Sequence, residues 1–277
     1  MRAFRGESFR ERPAYNLVKR LRRSVLRRLN RWSRGSYDVC YVSVDGRRYK
    51  KVTFKTAADA DRVFKSLKAF GASPHFPVPA ERHENEVLVE FVPGSRIGAV
   101  DEGVLEKLSD FYAAVYTRAP RLVSLQESGI WPDFVSHLSF LRQAGALEGA
   151  IHDVLYEKGR RLAPERVWLG FDYKDPVTKN LVVREGEDVI SAVDIKNLRA
   201  GGLIGRGIVK ARICWLSAEL AQGFVESLIR KGVPDFSAYW PFLELVYETA
   251  RRKNKLAKRA ANGLIKGFRS VQYSHPW

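Results

Sequence analysis

The stretch FDYKDPVTKNLVVREGEDVISAVD, residues 171–194, gathers side chains that can handle phosphate and metal. Asp175 and Asn180 stand in the spacing D-x-x-x-x-N. Asn180 opens a short apolar β run, NLVV, and a second such run, VISAV, is followed directly by Asp194. Phosphoryl transfer from ATP asks for few protein groups. One carboxylate orients an acceptor hydroxyl and takes its proton, while an amide oxygen and a second carboxylate hold Mg²⁺ against the triphosphate. In the spacing seen here, a loop can present the base while its far end reaches the metal. A hairpin returning a second acid to that metal completes the set. Each residue also has an ordinary explanation: Asp175-Pro176 as a turn opener, Asn180 as a loop residue, Asp194 as a strand-end cap.

The elements needed to position such groups can be traced upstream. Residues 37–44 (YDVCYVSV) and 47–54 (RRYKKVTF) read as strands flanking Asp45-Gly46, a hairpin signal because both turn positions favour positive φ. Thr56 opens a helix running to about Phe70. After the Pro-rich SPHFPVP, residues 86–92 (EVLVEFV) read as a buried strand stopped by Pro93-Gly94. Beyond Gly94 the patterning is mostly helical, over 101–117, 131–158, 208–229 and from 239 onward, interrupted by short β segments within 167–194. The order implies an α+β, bilobal architecture. It comprises a basic N-terminal arm and amphipathic helix (1–34), a small β-rich lobe (35–94) and a larger helical lobe with a basic C-terminus (95–277), hinged near 91–95.

These features together resemble the protein-kinase-like superfamily, and in particular its small-molecule branch: aminoglycoside phosphotransferases and the kinases of lipopolysaccharide core sugars. The catalytic loop of that family reads H-x-D-x-x-x-x-N. The matching stretch here is YKDPVTKN, with Tyr173 in place of a mainly structural histidine. The resemblance implies ATP and Mg²⁺ as cofactors, Asp175 as the base, and Asn180 and Asp194 as metal ligands. In VLVEFVPG, Glu90 to Val92 would offer backbone groups to adenine, and Gly94 would free the chain to turn.

The family's phosphate-holding lysine faces the cleft from the strand after the hairpin. Strand alternation puts Tyr49, Lys51 and Thr53 on one face and Lys50, Val52 and Phe54 on the other. Tyr49 followed by Lys51 fits the family's pattern, so Lys51 is the expected residue and Lys50 the alternative. A carboxylate on the next helix should hold that lysine. Asp59 lies on the face of Val63, Leu67 and Phe70, although Thr56 and Asp59 also form a T-x-x-D capping pattern. The family's Gly-rich phosphate loop is reduced to Gly35 in WSRGSYDVCYV, which favours the small-molecule branch over a protein kinase and leaves a catalytically inactive scaffold as an alternative.

Composition sets further bounds. The chain of 277 residues is 45% hydrophobic and 12% aromatic, enough for a sizeable core. With 48 Lys+Arg against 31 Asp+Glu, the formal net charge is +17, which draws anions: nucleic acid, acidic lipid or phosphorylated substrates. No recognised nucleic-acid-binding module is visible, so a basic nucleic-acid binder on this scaffold is the weaker alternative. Cys40 and Cys214 cannot build a disulfide framework and read as buried small hydrophobes of a reducing compartment. The five histidines show no metal-ligand spacing.

The chain start has no secretory h-region, and no run reaches the ~18 apolar residues of a membrane span. A cytoplasmic location follows as the expectation, with peripheral attachment to the inner membrane face as a variant. Two basic amphipathic segments, Tyr15–Trp32 and 247–268, flank the core. Each basic side chain near an anionic leaflet contributes about 1 kcal/mol. Such a surface would suit a kinase whose acceptor is a hydroxyl-bearing small molecule or glycolipid.

Overall fold

The computed structural model describes residues 37–261. The N-terminal basic helix, Gly35 and the end of the C-terminal basic segment lie outside the described residues.

Strands β1 (Tyr37–Val44) and β2 (Arg47–Phe54) form the expected hairpin. Asp45 and Gly46 take φ of 49° and 75°, so the turn has the two left-handed positions that an Asp-Gly pair supplies at low cost. Helix α1 (Ala57–Lys68) follows, then β3 (Pro79–His83) and β4 (Glu86–Glu90). The four strands make an antiparallel sheet in the order β1-β2-β4-β3. Val52 and Phe54 turn from this sheet toward Ala60, Val63 and Leu67 of α1, and all five are buried.

The larger part begins with the short β5 (Gly94–Arg96) and α2 (Glu102–Tyr116). It continues with β6 (Arg121–Ser124), α3 (Ile130–Gln143), α4 (Gly149–Leu162) and the long β7 (Arg166–Tyr173). The helical pattern over 131–158 is split in two, with Gly145 at φ 67° in the break. Strands β8 (Leu181–Arg184), β9 (Ile190–Ala192) and β10 (Leu198–Leu203) follow. Helices α5 (Arg206–Cys214), α6 (Ala218–Arg230) and α7 (Trp240–Ala261) close the described chain. There are also two small antiparallel sheets, β10-β7-β6 and β5-β8-β9; α1 packs on β10 as well as on the first sheet, and α2 packs on β7 and β9. The fold is bilobal α+β, and one buried cluster runs continuously from Val52 and Val63 through Phe111 and Tyr173 to Phe242 and Leu243.

Two expectations are corrected by packing. Cys214 is exposed and Cys40 only half-buried, so neither is a core hydrophobe. Gly94 is required for close approach rather than for a free turn. A Cβ there would lie 2.3 Å from the carbonyl oxygen of Val183, because β5 packs flush on β8. Gly94→Ala should therefore lower stability by about 1–3 kcal/mol in denaturant unfolding. An unchanged midpoint would mean that β5 does not hold this register.

Candidate active site

Strand β7 ends at Tyr173, whose ring is fully buried among Phe76 and Phe111. Its backbone direction continues one residue further, since the Lys174 N–H donates to Asn197 at 3.0 Å. Asp175 follows on the loop. A single 3-10 turn, Thr178–Asn180, then brings Asn180 back over Asp175. The Asn180 Nδ2 donates to the Asp175 carboxylate at 3.0 Å and to its backbone carbonyl at 3.1 Å. This orientation leaves the Asn180 amide oxygen with no hydrogen bond among the described residues.

The second acid arrives through the β8–β9 hairpin, whose register pairs Leu181 with Ala192. The Val193 N–H donates to the Asn180 carbonyl at 2.9 Å. That bond ties the residue before Asp194 to the end of the Asp175–Asn180 loop. The Asp194 carboxylate, largely buried, accepts from Asn197 Nδ2 at 3.0 Å and lies 3.3 Å from the Lys196 ammonium. The Tyr173 hydroxyl sits 3.4 Å from the Asn180 carbonyl oxygen and 3.3 Å from that of Asp194. The residue standing where histidine was expected thus bridges the two loops that carry the candidate metal ligands.

The lysines separate by face. Lys50 reaches in to donate its ammonium to the Val193 carbonyl, next to Asp194. Burial pulls its pKa below the ordinary lysine range, Asp194 opposes that shift, and Lys196 adds to it. Lys51 points to the opposite face and pairs with Glu86 of β4 at 2.5 Å. The structure brings Lys50, and not Lys51, to Asp194. The cause is the alternation itself: Lys50 shares its face with Val52 and Phe54, which pack toward α1.

Asp59 is not brought to either lysine. It belongs to the first turn of α1, where its backbone N–H donates to Thr56 Oγ1 at 3.1 Å and its carboxylate accepts from the same hydroxyl at 3.0 Å. Its charge partner is Arg62 at 3.3 Å. The capping alternative accounts for all these contacts.

Along the hinge, the Glu90 N–H is given to Val78 at 2.9 Å and the Phe91 N–H to Arg48 at 3.1 Å. The Val92 N–H makes no hydrogen bond among the described residues.

Two contacts escape sequence reasoning. Lys210 of α5 reaches across to the second Asp175 carboxylate oxygen. The Trp215 indole, at the end of the same helix, donates to the Pro176 carbonyl at 2.7 Å and steadies the loop. Lys210 is 35 positions from Asp175. The only signal in the sequence is the lysine that follows the apolar pair Ile208-Val209 in GLIGRGIVKARIC.

Among the described residues, no cluster of three His, Cys, Asp or Glu could hold a metal ion by itself. Mg²⁺ is nevertheless commonly bound by one or two carboxylates together with substrate phosphates. The Asn180 amide oxygen and the Asp194 carboxylate, on two segments tied by the Val193–Asn180 backbone bond, are hard oxygen donors of that kind.

No family model matches the sequence, and no curated protein matches it either. Solved structures do. Macrolide 2'-phosphotransferase from Brachybacterium faecium superposes with a TM-score of 0.56 at 14% identity, over 83% of this chain and 85% of that one. The chain shares their kinase-like fold. Plasmodium vivax ethanolamine kinase shares it with a TM-score of 0.54 at 12% identity, over 93% of this chain and 85% of that one. An aminoglycoside phosphotransferase in ADP-bound form does so with a TM-score of 0.50 at 12% identity, over 88% of this chain and 96% of that one. The Tyr173 hydroxyl is the side-chain link between the Asn180 and Asp194 carbonyls. Tyr173→Phe should cost about 1 kcal/mol in denaturant unfolding, as loss of one buried hydrogen bond. It should also speed amide exchange at Val193, and an unchanged exchange rate would contradict the bridging role.

Proposed function

We propose that this protein is an ATP-dependent phosphotransferase acting on a hydroxyl group of a sugar or other small molecule. The observation that carries this reading is the convergence of Asp175 and Asn180 from one loop, Asp194 from the segment after β9 and Lys50 from β2, at the junction of the two lobes of a kinase-like fold. Adenine would stack against the hinge, taking a hydrogen bond from the Val92 N–H and donating one to the Glu90 carbonyl. The phosphates would meet Lys50. Asn180 Oδ1 and Asp194 would hold Mg²⁺, which when bound neutralises charge on the phosphate oxygens.

Asp175 accepts the proton of the acceptor hydroxyl. Asn180 Nδ2 fixes one of its oxygens, and Lys210 touches the other. The ammonium of Lys210 keeps the carboxylate oriented and lies close enough to the attack site to stabilise negative charge developing on the transferred group.

The basic segments Tyr15–Trp32 and 247–268 support a finer version of the reading, in which the acceptor is a lipopolysaccharide-type glycolipid at an anionic membrane surface. No helix among the described residues is long and apolar enough to cross a membrane, so attachment would be through these segments.

The test is Mg²⁺-dependent transfer from labelled ATP to a panel of hydroxyl acceptors. Free sugars and amino alcohols would be compared with glycolipid in anionic vesicles. Wild type should transfer label, and Asp175→Ala should lower kcat by ~10²–10⁴-fold, the usual contribution of a general base. Lys50→Ala should weaken ATP binding by about 10–100-fold through the loss of a charge-assisted contact. Lys51→Ala should leave ATP affinity near wild type and instead reduce stability by removing the Glu86 pair. Transfer unaffected by Asp175→Ala would end the assignment of the base. Equal labelling of free sugars with and without vesicles, and none of glycolipid, would end the membrane version.

A further inference from the structure

Four cationic side chains that the catalytic reading does not use come together where α1 packs on β10. Arg199 of β10 is the direct cross-strand partner of Asp172 on β7. Lys174 lies two positions after Asp172 and stands on the same side of the ladder. Arg206 is the first residue of α5, and the next backbone N–H, of Gly207, donates to Asp172 at 3.1 Å. Arg62 stands on α1, which packs on β10, and is close enough to repel Arg199 and Lys174.

These cations are poorly compensated. Lys174, Arg199 and Arg206 make no side-chain hydrogen bond or ion pair among the described residues. The Arg199 Nε and the Arg62 Nη1 are both buried without a partner. Arg62 spends only its other terminal nitrogen on Asp59. The acids facing the group are Asp59, at the protein surface, and Asp172. The latter is fully buried, with one oxygen accepting from Tyr116 at 3.0 Å and from Gly207.

Buried guanidinium nitrogens without partners are costly. The cost persists in a native structure when a ligand supplies the missing acceptors. Burial, then repulsion from Arg206, lowers the Lys174 pKa to about 8. Burial and repulsion from Arg62 likewise lower that of Arg199. Asp172 opposes the first shift and Asp59 the second, so two acids face four cations.

We propose that Arg62, Lys174, Arg199 and Arg206 form a binding site for a phosphate dianion, either free or carried as a phosphomonoester. Planar guanidinium forks from three directions, with one ammonium, match the tetrahedral oxygens of such a group. Its occupant would tie three parts together: α1 of the smaller lobe through Arg62, the Asp175 loop through Lys174, and the segment after Asp194 through Arg199. The site is separate from the candidate nucleotide phosphates at Lys50, and the proposal does not rest on phosphotransferase activity.

Thermal unfolding of the full chain at neutral pH tests it. Inorganic phosphate, glucose 6-phosphate and chloride would be compared at equal ionic strength. Saturating phosphate should raise Tm by about 5 °C over chloride. The double substitution Arg62→Gln/Arg199→Gln should abolish that rise. Because it relieves repulsion, it should leave Tm without phosphate at or above the wild-type value, which a merely structural pair of arginines would not do. Lys50→Ala should keep the rise. A larger effect of glucose 6-phosphate than of inorganic phosphate assigns the site to a phosphate carried on a larger ligand, and the reverse assigns it to the free ion. Three results would overturn the proposal: no rise over chloride, a rise that survives the double substitution, or a rise lost in Lys50→Ala.

Discussion

A single buried hydroxyl sits between the two loops on which the candidate chemistry depends. The Tyr173 oxygen lies within hydrogen-bond range of the carbonyls of Asn180 and Asp194. Its ring is held by Phe76 and Phe111, so the hydroxyl is fixed by packing against the core. Burying a phenol without a partner would be unfavourable. Two carbonyls that the local backbone does not saturate supply that partner, and the loops gain a common anchor in return. The Val193 bond to Asn180 and the Asp175–Asn180 contacts then follow as short-range consequences. The site is thus positioned by the end of one strand, β7, rather than by each loop separately.

That arrangement explains which parts of the molecule were legible in the sequence. The β1–β2 hairpin was readable because Asp45-Gly46 fixes the turn locally. The order of Asp175, Asn180 and Asp194 around two short β runs was local too, and the structure links their segments through the Asn180–Asp175 and Val193–Asn180 hydrogen bonds. The choice between Lys50 and Lys51 was not local. Alternation defines two faces but does not say which one meets the cleft, and Glu86, the residue that claims Lys51, lies on another strand. Asp59 misled because an acid three residues after a threonine serves both an apolar helix face and an N-cap. The cap prevailed, as its contacts span only one turn. Strand β7 went unread as an element, since its eight residues are buried over most of their length and show little alternation. Lys210 depends on the docking of α5, which no local pattern announces.

Charge is distributed with a purpose that composition alone does not reveal. A net charge of +17 suggested a diffuse attraction for anions. Within the described residues, part of that excess is concentrated at half-buried positions: Arg62, Lys174 and Arg199 lie close enough to repel one another, while Lys50 and Lys196 lie near Asp194. These positions bracket Asp175 and Asp194 with positive potential, which favours polyanionic ligands at close range more than long-range steering would.

The central claim is that Asn180 and Asp194 share one Mg²⁺ beneath a bound triphosphate. Calorimetric titration with a non-hydrolysable ATP analogue, with and without Mg²⁺, tests it without needing the acceptor. Wild type should bind at least about tenfold more tightly with Mg²⁺, a difference of ~1.4 kcal/mol, and Asp194→Ala or Asn180→Ala should erase that gain while retaining metal-free binding. Binding indifferent to Mg²⁺ in wild type, or a full Mg²⁺ effect surviving in Asp194→Ala, would contradict the account.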